Sequence, residues 1–229
     1  MLSGSCTLSH FLVGEEQLAA RAAQHIASLL QDALELRGRA FLALSCREEL
    51  LPLYSRVARD ARLPSWANIT VCALESQVSP GGHRNSAESR LRDALSGALV
   101  PESNWVMPDQ ELRGEECAAE YAERLENLLL RPDVCVLGDG HLQQLPIAAE
   151  AHDEDLLTLS TPEGVCVSIS FLGHARALVF AVPHSKDPLW NEALRNDQGL
   201  PFVDRLRERG GELLALMSKG DTVAVFTTK

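Results

Sequence analysis

The chain has 229 residues, 45% of them hydrophobic and 23% charged, which is the balance of a globular domain with a core and excludes a disordered or repetitive protein. A net charge of −11, with 18 arginines and 3 lysines dispersed along the chain, leaves no basic patch for a phosphate backbone, so nucleic acid is excluded as a partner. No run approaches the roughly 20 apolar residues of a membrane span, and the N-terminus lacks the basic start and apolar core of a secretion signal; a cytoplasmic protein with no membrane partner is expected.

Residues 15–37 place apolar side chains at helical spacing (Leu18, Ala22, Ile26, Leu29, Leu30, Ala33), starting with two glutamates and stopping at Gly38. Phe41 to Leu44 is a short apolar run that reads as a strand. It is followed by the polar stretch Ser45 to Glu49 and a helical pattern over Leu50 to Ala61. Ile69 to Cys72 is the next strand. Beyond it a polar loop from Glu75 to Asn85 is expected, holding Pro80-Gly81-Gly82 as a breaker. Helices are predicted over Ser86 to Leu95 and Glu115 to Leu130, then a strand at Val134 to Leu137.

The last third opens with the acidic stretch Glu150 to Asp155, whose spacing is not that of a calcium loop and reads as solvated. Val165 to Ser170 alternates like a strand, Ala177 to Val182 is a further apolar run, a helical stretch follows Pro183-His184-Ser185-Lys186, and Thr222 to Phe226 reads as a terminal strand. His174 falls in a surface turn, and His83 and His152 in polar loops. Strands alternating with helices predict a three-layer α/β domain with a mainly parallel sheet and helices on both faces. No linker divides it, so one domain spans 1–229. Leu42 to Ser45, Ile69 to Ala73 and Val134 to Leu137 are expected to be neighbouring parallel strands with converging carboxyl ends.

The six cysteines lack any Cys-x-x-Cys pair, which argues against a zinc site or a disulfide framework, and Cys72, Cys135 and Cys166 read as small buried hydrophobes. No metal and no cofactor is expected. The most informative motif is Val134-Cys135-Val136-Leu137-Gly138-Asp139-Gly140-His141, an apolar strand that ends at an acid, a glycine and a histidine. A carboxylate two residues from an imidazole can fix its tautomer and stabilise the imidazolium, the requirement for a general base. Asp139 and His141 are therefore the candidate catalytic pair.

Leu137-Gly138-Asp139-Gly140-His141-Leu142-Gln143-Gln144-Leu145-Pro146 resembles the Leu-Gly-x-Gly-x-Asp-Gly-His-Thr-Ala-Ser-Leu-Phe-Pro segment of the 6-phosphogluconolactonase family, shortened before the aspartate and after the histidine. Three further stretches match in order. Leu44-Ser45 with the later Leu53-Tyr54 is similar to the Leu-Ser-Gly-Gly-Ser-Thr-Pro segment and its helix. Trp66 to Val78 is similar to Trp-x-x-Val-x-Phe-Phe-x-Asp-Glu-Arg-x-Val-Pro and keeps Trp66, Glu75 and Val78. Val165 to Ser170 and Pro183 to Lys186 resemble a later strand and its Gly-x-x-Lys. The family shares its fold with glucosamine-6-phosphate isomerase.

The resemblance implies hydrolysis of 6-phosphogluconolactone to 6-phosphogluconate in the pentose phosphate pathway, with a phosphorylated sugar lactone or sugar acid as ligand. His141 would be the base toward a water and Asp139 its orienting partner. Ser45, Arg47, Gly138, Gly140, Arg84 and Lys186 would bind substrate, Lys186 at its anionic end. The departures are specific. The family's glycines and hydroxyls after the first strand are replaced by Cys46, Arg47, Glu48 and Glu49, and its anchoring arginine falls on Ser76, with Arg84 a substitute from the loop beyond. Weak phosphate binding is expected, improved by Glu48→Ser with Glu49→Thr or by Ser76→Arg. The alternative is a catalytically impaired family member serving as a sugar-phosphate-binding, regulatory or protein-interaction module. An aldose-ketose isomerase needs further carboxylates where Leu74, Gln143 and Gln144 stand.

Overall fold

The computed structural model describes residues 7–12, 15–77, 86–128, 131–138, 156–162, 164–182, 211–217 and 222–228. In chain order the elements are β1 (Thr7–Leu12), α1 (Glu15–Arg37), β2 (Ala40–Leu44), α2 (Leu51–Val57), β3 (Ile69–Ala73), β4 (Glu75–Gln77), α3 (Ala87–Ala94), β5 (Trp105–Val106), α4 (Gly114–Asn127), β6 (Val134–Leu137), β7 (Thr158–Thr161), β8 (Gly164–Val167), α5 (Ile169–Gly173), β9 (Ala177–Val182), β10 (Gly211–Met217) and β11 (Thr222–Thr228).

Every residue of β2 and of β6 is buried, which is what a parallel strand covered on both faces requires and why both read as unbroken apolar runs. The pleat sends alternate residues to two cores. Ala40, Leu42 and Leu44 join Ile26 and Leu30 of α1 and Tyr54 of α2 on one face. Phe41 and Ala43 join Tyr121 and Leu125 of α4 and Phe171 of α5 on the other. The three layers follow from this alternation.

Eight strands form one sheet in the order β1-β10-β11-β9-β6-β2-β3-β5, and β4, β8 and β7 form a second, antiparallel sheet. β2 lies between β6 and β3 and runs parallel to both, as the apolar runs predict. β11 is antiparallel to β9 and to β10, so the parallel arrangement is interrupted on one side. The chain moves outward from β2 through β3 to β5 and returns through α4 to β6 on the other side of β2. The carboxyl ends of β2 and β6 therefore flank a topological switch point, where open α/β sheets hold their ligands.

Local chemistry sets the boundaries. Gly38, at φ +70°, ends α1 in the left-handed conformation and donates its N–H to the Leu34 carbonyl at 2.8 Å. The expected helix from Leu50 to Ala61 is shorter, because a single 3-10 turn over Glu48–Leu50 precedes α2 and turns follow Val57. The expected strand over Val165 to Ser170 is corrected at Val167: the Ser168 hydroxyl accepts from the Phe171 N–H at 3.1 Å and caps α5 instead. The expected loop from Glu75 begins as a strand, since Glu75 to Gln77 pair with Gly164 to Cys166. The helical stretch expected after Lys186 lies outside the described residues.

Candidate functional site

The end of β2 is held by its neighbours before any ligand is considered. The Ser45 N–H donates to the Val136 carbonyl of β6 at 3.0 Å, and the Leu74 N–H donates to the Leu44 carbonyl at 2.8 Å. Beyond this point the chain must turn over the sheet edge. Its first amide, on Cys46, donates to Glu75 Oε1 at 2.7 Å, and the Ser45 hydroxyl donates to the same oxygen at 2.8 Å. Tyr54, fully buried on α2, donates its hydroxyl to the Ser45 carbonyl at 2.8 Å. The carboxylate of β4 and the phenol of α2 thus fix the loop from two sides.

Over this loop lies a cleft of about 240 Å³ lined by Cys46, Arg47, Glu48, Glu49, Glu75 and Arg90. Gly138, the first residue after β6, sits against it. A Cβ there would lie 3.2 Å from Leu50 Cδ1 and 3.4 Å from Arg47 Cγ, so the glycine permits a close approach of the β6 end to the loop. Two strands that flank the switch point therefore contribute to one cleft, together with β4 and α3.

The chemistry of the cleft is ionic. Burial, with the Glu75 charge second, pushes the Cys46 thiol well above its ordinary range, while Arg90 and Arg47 oppose the shift. Cys46 is a protonated thiol at neutral pH, donating at 3.2 Å to the Glu75 carbonyl, and is not poised as a nucleophile. Burial likewise raises the Tyr54 phenol, with Glu75 the next cause, so Tyr54 keeps the proton it donates. What remains to meet a ligand is two guanidinium groups and the glutamates.

Of the residues predicted from sequence, Ser45, Arg47 and Gly138 are brought together here. Asp139, Gly140, His141, Arg84 and Lys186 lie outside the described residues. Ser76, where the family's arginine falls, does not face the cleft: it is buried, and its hydroxyl accepts from Gln110 Nε2 at 3.2 Å. Glu75 and Ser76 are successive residues of a strand and point to opposite faces. The expectation that Ser76→Arg would restore anion binding is corrected accordingly, because this position points a side chain toward Gln110. Arg90 was missed from sequence. Its one signal was its place in α3 beside Leu91, which is fully buried. His174 is exposed at the end of α5, as expected for a surface turn.

Among the described residues no group of three or more metal-ligating side chains is present, and no helix is long and apolar enough to cross a membrane. Comparison with known proteins places the fold. The family model for glucosamine-6-phosphate isomerases/6-phosphogluconolactonase matches residues 14–213. A 6-phosphogluconolactonase of Pseudomonas putida is 30% identical over 140 residues, which cover 59% of this chain and 57% of that protein, so the match spans little more than half the relative's length. The crystal structure of a 6-phosphogluconolactonase from Thermotoga maritima superposes with a TM-score of 0.74 at 19% identity, covering 93% of this chain and 100% of that one. A monomeric glucosamine-6-phosphate deaminase superposes nearly as well, at 0.72 and 15% identity over 93% of this chain and 98% of its own. The fold is thus common to both activities, and, with the model matching most of its length, the chain belongs to the glucosamine-6-phosphate isomerase/6-phosphogluconolactonase family.

Proposed function

We propose that the protein binds a phosphorylated sugar lactone, 6-phosphogluconolactone, and hydrolyses it to 6-phosphogluconate in the cytoplasm. The observation that carries the reading is the cleft at the switch point, where the Glu75-anchored loop bearing Arg47 meets Gly138. The next residues in sequence are Asp139, Gly140 and His141. In this reading His141 takes a proton from water as the water oxygen bonds to the lactone carbonyl carbon, and Asp139 orients the imidazole. The ring C–O bond then breaks and the ring oxygen receives the proton from His141, so one lactone and one water give one acid. Ser45, Arg47, Gly138, Gly140, Arg84 and Lys186 make up the binding side, with Lys186 toward the phosphate.

Glu48 and Glu49 favour a second reading, a family member with impaired turnover that serves as a sugar-phosphate-binding, regulatory or protein-interaction module. Both line the cleft, and a carboxylate ~4 Å from a phosphate charge costs about 1 kcal/mol in water and about 4 kcal/mol at an effective dielectric of ~20. Acid release from 6-phosphogluconolactone, measured against the uncatalysed rate, separates the two. The lactonase reading expects acceleration that His141→Ala removes while 6-phosphogluconate still binds. Binding without acceleration by the unmodified protein leaves the second reading. Glu48→Ser with Glu49→Thr is expected to tighten 6-phosphogluconate binding in either case.

A further inference from the structure

Two arginines of α3 are chemically identical in sequence and opposite in circumstance. Arg92 is neutralised: it pairs with Glu88 at 2.7 Å and with Glu102 at 2.6 Å, and its guanidinium lies 4.7 Å from the centre of the Trp105 ring. Arg90, two residues earlier, makes no ion pair among the described residues. Its Nε is buried without a hydrogen-bond partner, and the side chain lines the cleft. Arg47 is in the same position on the facing loop, with a buried Nε that also lacks a partner. Glu48 and Glu49 line the same cleft, yet neither forms an ion pair with these arginines among the described residues.

A buried donor left unsatisfied is costly, and more so when it belongs to a charged group. That cost is relieved by an oxyanion placed between the two guanidinium groups, because each offers parallel N–H donors in the fork that matches two oxygens of one phosphate. The Ser76 side chain, on β4, is turned to Gln110 and is not among the residues lining the cleft.

We infer that Arg90 of α3 and Arg47 of the loop after β2 form a two-guanidinium clamp for the phosphomonoester of the ligand. Only the identity of the sugar rests on the reading above; the clamp itself rests on the paired geometry of α3 and the loop. Arg90 enters from a helix, whereas the arginine of the resemblance would come from the strand position held here by Ser76. Side-chain forks therefore hold the anion, and the clamp recognises the phosphate independently of the lactone end.

Calorimetry with 6-phosphogluconate, gluconate and inorganic phosphate tests this on the unmodified protein and on Arg90→Ala, Arg90→Lys, Arg47→Ala and Arg92→Ala. The clamp predicts that 6-phosphogluconate binds more tightly than gluconate, and that Arg90→Ala and Arg47→Ala each weaken it by about tenfold to a hundredfold. Arg90→Lys, which keeps the charge and loses the fork, should fall between, and Arg92→Ala should bind as the unmodified protein does. Urea midpoints identify any variant that fails to fold, in which case Arg90→Lys decides. Inorganic phosphate binding that depends on Arg90, without preference for 6-phosphogluconate, upholds the clamp and overturns the sugar-phosphate reading. The clamp is overturned if Arg90→Ala and Arg47→Ala bind as tightly as the unmodified protein, or if the unmodified protein binds none of the three compounds.

Discussion

The Glu75 carboxylate reaches from β4 to the turn after β2, and a single oxygen accepts both the Ser45 hydroxyl and the Cys46 N–H. Hydrogen bonds to a charged acceptor contribute about 1.5–3 kcal/mol each, and truncation would strand two donors in a buried place. Glu75→Ala should therefore lower stability by about 2–4 kcal/mol and weaken ligand binding through the displaced loop; an unchanged denaturant midpoint would show that the loop holds itself. His25, on α1, behaves differently. Burial lowers its pKa below the ordinary 6.5, only partly offset by Asp32. The unfolded chain then takes up a proton that the folded chain refuses, so this contribution to stability is complete above pH 6.5 and is lost as pH falls through the lowered value. His25→Gln should flatten the fall in melting temperature between pH 7.5 and pH 5, and parallel curves for the two proteins would refute the assignment.

At the level of elements, Asp133 is the counterpart of Glu75 at the opposite edge of the sheet. It immediately precedes β6, is buried, accepts the Phe41 N–H of β2 at 2.9 Å, and pairs with Arg37 at the end of α1 and with Arg176 before β9 at 3.3 Å. One carboxylate thus ties a helix end to the starts of three adjacent strands. Arg176 is half exposed and contributes little by itself. The buried backbone donor and Arg37 carry the cost, and Asp133→Ala should destabilise by about 2–4 kcal/mol. Because the site lies at the other edge, 6-phosphogluconate affinity, measured below the unfolding transition, should be retained. A loss of affinity equal to that of Glu75→Ala would mean that the two edges are not independent.

Across the whole molecule, the order of strands makes the N-terminal segment an edge. β1 pairs in parallel with β10 from Thr7 with Glu212 to Leu12 with Met217, and β10 in turn pairs with β11. Removing β1 would bare a seven-residue strand edge in a sheet whose next strands are apolar, the circumstance that promotes association between chains. A chain starting at Glu15 should be less stable and should self-associate at concentrations where the full chain does not, as read by light scattering. Equal monomer fractions in the two would show that β10 is protected by other means.

Much of this was written in the local sequence. The β2, β3 and β6 runs follow from apolar periodicity and end signals, because those reflect burial on both faces whatever the exact packing, and β2 lies between β6 and β3 in the sheet. β4 was not legible, since Glu-Ser-Gln has no strand pattern and becomes one only by pairing with β8. The catalytic pair Asp139 and His141 was a reading of spacing, and it remains a proposal. The phosphate grip was the least legible part. Sequence placed the missing arginine at Ser76 and did not rank the other arginines: the one local difference between Arg90 and Arg92 is Glu88, four residues before Arg92, and it does not say which side chain meets a cleft. Tertiary structure separated them: Glu102 and the Trp105 indole complete the neutralisation of Arg92 that Glu88 begins within α3, whereas Arg90 lines a cleft where its Nε has no partner. Sequence determined which segments are buried and in what order, since burial is a local pattern; which charge is left for a ligand was decided by the fold, since pairing depends on residues distant in the chain.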